Sequence, residues 1–122
     1  MRSMKELIEL LSSINFDVLN IDELLDSRDS KIFDLEWTRI YKAVEALKNE
    51  DNYSESEKTE NFDIKETVFK IIYGLTNDCD LAGYVSDDFG LILDAELLEY
   101  EDAWLSKLIS CYRNKSIPCG IL

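Results

Sequence analysis

Apolar side chains recur three and four residues apart through most of this chain, and that period belongs to helices rather than to strands, where side chains alternate. Leu7, Leu10, Leu11 and Ile14 form the first such stripe, and Asn15 or the Phe16-Asp17 pair closes it. A second start is expected at Asn20, whose side chain caps the first turn while Glu23 reaches back, with Leu24 and Leu25 behind it and a stop near Ser27. From about Ser30 to Asn49, Leu35, Trp37, Ile40, Tyr41, Val44 and Leu47 draw the clearest apolar face of the first half. The stretch Asn49 to Asn61 offers almost nothing to bury and reads as a solvated loop, the only candidate linker. Asp63 and Glu66 repeat the capping arrangement ahead of Ile64, Val68, Ile71, Ile72 and Leu75. The β-branched and aromatic run Val68 to Tyr73 would also suit a strand, but the spacing and the cap favour helix.

Beyond the Thr76-Asn77-Asp78 cluster, Leu81 to Val85 reads as a short element broken at Gly83. Ser86-Asp87-Asp88 then opens a further helix, with Phe89, Ile92, Leu93, Leu97 and Tyr100 facing inward. Asp102 caps a last helix carrying Trp104, Leu105, Leu108, Ile109 and Tyr112, which ends in the basic turn Arg113 to Lys115. The expected fold is therefore all-α, a compact bundle or stacked pairs of about five to seven short helices. Its 122 residues suffice for one hydrophobic core but would not fill two, so a single domain is expected over residues 1–122.

Acids outnumber bases 26 to 13, for a net charge of −13, and such a chain repels nucleic acid and anionic membranes. The imbalance is concentrated: Ile71 to Ser106 holds nine acids and neither lysine nor arginine. No apolar run approaches the ~18 residues a membrane span needs, and Glu6 and Glu9 interrupt the segment where a secretory signal would be apolar. Cys79, Cys111 and Cys119 form no C-x-x-C pair, and an odd count argues against a disulfide framework, so a reducing, cytoplasmic setting is expected.

The chain lacks histidine, which removes the usual base of a serine or cysteine nucleophile and the usual zinc ligand. Cys79, near the start of an element, is the cysteine best placed for activation, although packing explains all three thiols. Gly74, Gly83, Gly90 and Gly120 never fall into a nucleotide-binding spacing. Residues 78 to 89 approach the spacing of a calcium loop, but Ala82 and Phe89 stand where side-chain oxygens are required. Adjacent acids such as Asp87 and Asp88 point about 100° apart on a helix and do not converge on one bond, as a carboxylate-based hydrolase would need. No catalytic residue, metal site, cofactor or small-molecule substrate is expected.

Acids interleaved with aromatic rings suit a protein interface, since rings anchor while carboxylates steer a basic partner into register. The segment Leu81-Ala82-Gly83-Tyr84-Val85-Ser86-Asp87-Asp88-Phe89-Gly90-Leu91-Ile92, continuing through Tyr100-Glu101-Asp102-Ala103-Trp104-Leu105 to Pro118-Cys119-Gly120, resembles small bacterial immunity proteins, those of contact-dependent growth inhibition systems in particular. The resemblance covers about the last third of the chain. It implies a cytosolic antitoxin that covers the active site of one cognate toxin, often a basic nuclease, and is not itself an enzyme. An acidic adaptor or nucleic-acid mimic is the alternative, with a carboxylate-based hydrolase behind it. The residues expected to meet the partner are Asp78, Asp80, Tyr84, Asp87, Asp88, Glu99, Tyr100, Glu101 and Asp102.

Overall fold

A computed structural model describes residues 2–50 and 52–122 of the chain. Six α-helices run in the order α1 (Arg2–Leu11), α2 (Ile21–Arg28), α3 (Lys31–Glu50), α4 (Glu55–Thr76), α5 (Cys79–Leu97) and α6 (Ala103–Arg113), with a single 3₁₀ turn at Phe16–Val18 and no strand among the described residues. Among the described residues, no helix is long and apolar enough to cross a membrane.

Local caps set most of the starts. The Asn20 side chain accepts from the Glu23 amide at 3.1 Å and opens α2, and Asp102 accepts from the Trp104 and Leu105 amides at 2.8 and 3.1 Å to open α6. Each such cap satisfies an amide that the helix cannot, which stabilises by about 1 kcal/mol.

Helix α5 is the axis of the bundle. The two-residue link Asn77–Asp78 folds it back beside α4 as an antiparallel hairpin, and α5 also touches α2 and α3, while α1 packs on α6 and α4. Every residue from Asp88 to Ala95 is buried, so the helix is enclosed on all sides there. Small residues allow the close approach of α4. A Cβ added at Gly90 would lie 2.8 Å from the Lys65 side chain, and Ser86 donates to the Lys65 carbonyl at 2.9 Å. Around this axis Phe33, Ile40, Val44, Val68, Ile72, Leu81, Phe89, Leu93, Leu108 and Tyr112 close the core, each buried apolar side chain contributing roughly 1.5–3 kcal/mol against exposure.

Three expectations are corrected. Of the expected loop over residues 49–61, Asp51 lies outside the described residues and the part from Glu55 onward is helical, because Ser54 and Glu57 form the reciprocal cap at 3.1 and 2.8 Å and start α4 well ahead of Asp63. Gly83 does not break α5; it lies inside a continuous helix that runs from the Asp78 cap past Asp88. On α3 the inward face is Phe33, Ile40 and Val44, whereas Leu35 and Tyr41 are 58 and 45 % exposed.

Candidate partner-binding surface

Nine residues were expected on the binding surface, and the fold places them in three different environments. Asp88 is inside the protein, with 0 % of its surface exposed. Arg28 grips it with both terminal guanidinium nitrogens, Nη1 and Nη2, at 2.6 and 2.8 Å, the Trp37 indole donates to Oδ1 at 2.9 Å, and the Tyr112 hydroxyl donates to Oδ2. Burial alone would lower the Arg28 pKa, but the charge and hydrogen bond of Asp88 outweigh it and hold the guanidinium firmly charged. Burial, with Asp88 adding to it, pushes the Tyr112 hydroxyl well above its ordinary value, so it remains a donor. Asp88 is thus a structural group, and its assignment to the partner surface is corrected.

Asp94, one turn and a half further along α5, is a second buried carboxylate. It pairs with Lys48 at 2.7 Å, accepts from Asn61 at 3.0 Å and accepts from the Tyr53 hydroxyl. Among the described residues, Asp88 and Asp94 are the buried carboxylates, and both are held by cations and donors of this chain.

The second environment lies along the first half of α5. Asp78 caps the helix by accepting from the Leu81 amide at 2.9 Å. Asp80 is exposed in the first turn, and Asp87 is exposed but meets Lys65 at 3.1 Å. Tyr84 lies over the Arg28 guanidinium, 5.1 Å from ring centre to Cζ, and its hydroxyl donates to Asp29, a bond that raises its pKa. This ring props the α2 end of the bundle.

The third environment brings Glu99, Tyr100, Glu101 and Asp102 together on one groove. It holds about 410 Å³, between the end of α5, α1 and α6. Leu7, Ile92, Ala95, Leu105 and Ile109 supply its apolar lining, while Glu96, Glu99, Glu101 and Asp102 supply carboxylates and Arg113 one cation. The turn that makes it follows from how α5 ends. The Tyr100 amide reaches back to the Ala95 carbonyl at 2.8 Å and the Glu99 amide to Glu96 at 3.2 Å. This paired closure requires a left-handed residue, and Glu99 adopts φ +57°. Glycine is the residue that takes this conformation without cost; here an acid does. Asp102 is committed locally, capping α6 and receiving Arg39 at 2.8 and 3.3 Å, and the Arg39 hydrogen bond holds its carboxyl below the usual range. Glu99 and Glu101 are exposed.

The groove and the Asp78–Asp80 end sit at opposite termini of α5, roughly 28 Å apart for a helix of that length. The expected surface is therefore not one patch. The sequence reading missed the rest of the lining, above all Glu96, in the last turn of α5, and the Leu7 wall, which comes from the other end of the chain. Among the described residues, no three cysteine or acidic side chains gather as a metal ion would need, and all three cysteines are free thiols, Cys79 exposed and Cys111 raised in pKa by burial.

No curated protein matches the chain. A sequence model of the family described as immunity protein PIM1 matches residues 3–119. That match extends over nearly the whole helical body, from α1 to the tail that follows α6, and the chain belongs to the immunity protein PIM1 family.

Proposed function

We propose that this immunity protein neutralises one cognate toxin by binding it through the acidic groove at the α1, α5 and α6 junction, and that the toxin carries a basic nuclease domain whose active site is thereby covered. The observation that carries the reading is the groove itself. Its apolar floor accepts the methylene stem of an arginine or lysine, while Glu99 and Glu101 at the rim receive the charged head. A net charge of −13 steers such a partner from a distance. A nuclease active site lined with cations to hold phosphates is complementary to the same carboxylates, so the inhibitor excludes substrate by occupancy. Nothing in this mechanism requires catalysis by the immunity protein. A nuclease toxin acts where nucleic acid is, so the cytoplasm is the compartment in which this protein would meet one.

The test takes candidate toxin domains from the genes that neighbour this one. Co-expression should rescue growth, and Glu99→Lys with Glu101→Lys should slow association about tenfold or more at low salt and flatten its salt dependence. Association that keeps its rate and its salt dependence in that variant would remove the groove from the interface. A toxin domain that the parent chain does not bind would remove the reading altogether.

A further inference from the structure

One face of α4 is largely uncovered among the described residues, with Phe69 alone of its rings leaning on the core, and its side chains are not those of an ordinary solvated ridge. Phe62, Glu66, Phe69 and Tyr73 follow one another at intervals of four, three and four residues, which places them in a single stripe along the helix. Phe62 is 63 % exposed and Tyr73 41 % exposed, and Tyr73 stacks on Phe69 at 6.2 Å between ring centres. Beside the stripe lies a hollow of about 580 Å³ whose exposed surface is mainly apolar, with Phe62 and Phe69 among its lining beside the polar Asn61, Lys65, Glu66 and Lys70. Three rings and a hollow on one helix make a contiguous apolar patch, which on a water-exposed surface marks an interaction site.

Charge decides the occupant. Over this stretch Asp63 and Glu66 are balanced by Lys65 and Lys70, so the stripe is neutral in a chain that is otherwise strongly acidic. Two lysines beside the rings disfavour the basic partner that the groove suits. The same pattern is self-complementary. When two copies of α4 are laid antiparallel about a two-fold axis near residue 68, Phe62 of each meets Tyr73 of the other, and the two Phe69 rings meet at the axis. Glu66 of each then lies on the same flank as Lys70 of the other, where the acid and base within one helix already come within 3.8 Å.

We propose that α4 is a self-association surface through which two copies of this chain pair antiparallel, by the Phe62–Phe69–Tyr73 stripe flanked by Glu66–Lys70 ion pairs. Three partly exposed rings per copy bury on the order of 600–1,000 Å² in total, below the size of a permanent interface, so the dimer is a weak one with Kd on the order of 10–100 μM.

Sedimentation velocity on the full chain from about 1 μM to about 1 mM should show a monomer passing to a dimer. Phe62→Ser should abolish the dimer without changing the far-ultraviolet circular dichroism. Glu66→Lys and Lys70→Glu should each weaken association about fivefold or more, because like charges then face each other, and an equimolar mixture of the two should restore it. A chain that stays monomeric throughout this range overturns the proposal, as does a dimer that survives Phe62→Ser or whose two charge variants fail to complement. The readout uses no toxin, so it stands or falls separately from the neutralising function.

Discussion

Asp88→Asn is the substitution for which the structure gives the sharpest expectation. The side chain keeps its shape, but the buried Arg28 guanidinium loses its counter-charge and one of its two acceptor oxygens, receiving an amide donor in exchange. Breaking a buried ion pair from one side costs about 3–5 kcal/mol, because the remaining charge has no partner and no water. The one oxygen that asparagine retains cannot serve Arg28, Trp37 and Tyr112 together, so at least one further buried donor goes unmet, at about 1–3 kcal/mol. The sum, roughly 4–8 kcal/mol, is comparable to the entire stability of a domain of this size. Urea unfolding followed by the fluorescence of Trp37 and Trp104 measures it, with Asp87→Asn as the neighbouring exposed control, expected to change stability by no more than about 0.5 kcal/mol. Adding Arg28→Met to Asp88→Asn should recover part of the loss, since removing both charges is less costly than stranding one. An Asp88→Asn protein within about 1 kcal/mol of the parent would refute the reasoning, since it would mean that the buried guanidinium does not depend on its carboxylate.

Other expectations concern pH, helix packing and the strained turn. Tyr112 is held protonated by burial above its ordinary value of about 10, so its contribution is intact below pH 10 and declines above it, by about 1.4 kcal/mol per pH unit while the unfolded chain alone ionises; Tyr53, raised by burial and Asp94, acts in the same direction. Urea midpoints that do not fall between pH 9.5 and pH 11, or that fall equally steeply in Tyr112→Phe, would contradict this. Gly83→Ala should stabilise α5 by about 0.5–1 kcal/mol because its Cβ would meet open space, whereas Gly90→Ala should gain less or lose, since there the Lys65 stem must shift; thermal melts that rank the two the other way would argue against the close crossing. Glu99→Gly should raise stability by up to about 1 kcal/mol by relieving a left-handed acid while slowing toxin association, and a variant that is both more stable and equally fast would separate Glu99 from binding.

What could be read in the sequence divides along the distance over which each signal acts. Asn20 and Asp102 announced their helices because a cap is decided within three residues. Ser54 and Glu57 carried the same signature, yet the first turns of α4 bury so little that composition outweighed it. Gly83 weakens a helix in isolation, but in α5 the packing of α2, α3 and α4 against it overrides that cost. On α3 two apolar stripes compete at helical spacing, and only the tertiary fold chooses Phe33 over Leu35. The cluster Glu99, Tyr100, Glu101 and Asp102 was visible because its members are adjacent in the chain, whereas the Leu7 wall of the same groove was not. Asp88 misled for the same reason: its partner Arg28 lies sixty positions away, and nothing local distinguishes a buried carboxylate from the exposed Asp87 beside it.

That long span has a consequence for the integrity of the molecule. The cation at its centre is supplied before the link between α3 and α4, and the anion after it. A nick in that link would yield two fragments, each left with one half of an internal ion bond and unable to bury it alone. The pieces should therefore collapse separately but reassemble on mixing, so that severing the backbone there costs the protein its continuity before it costs the protein its shape.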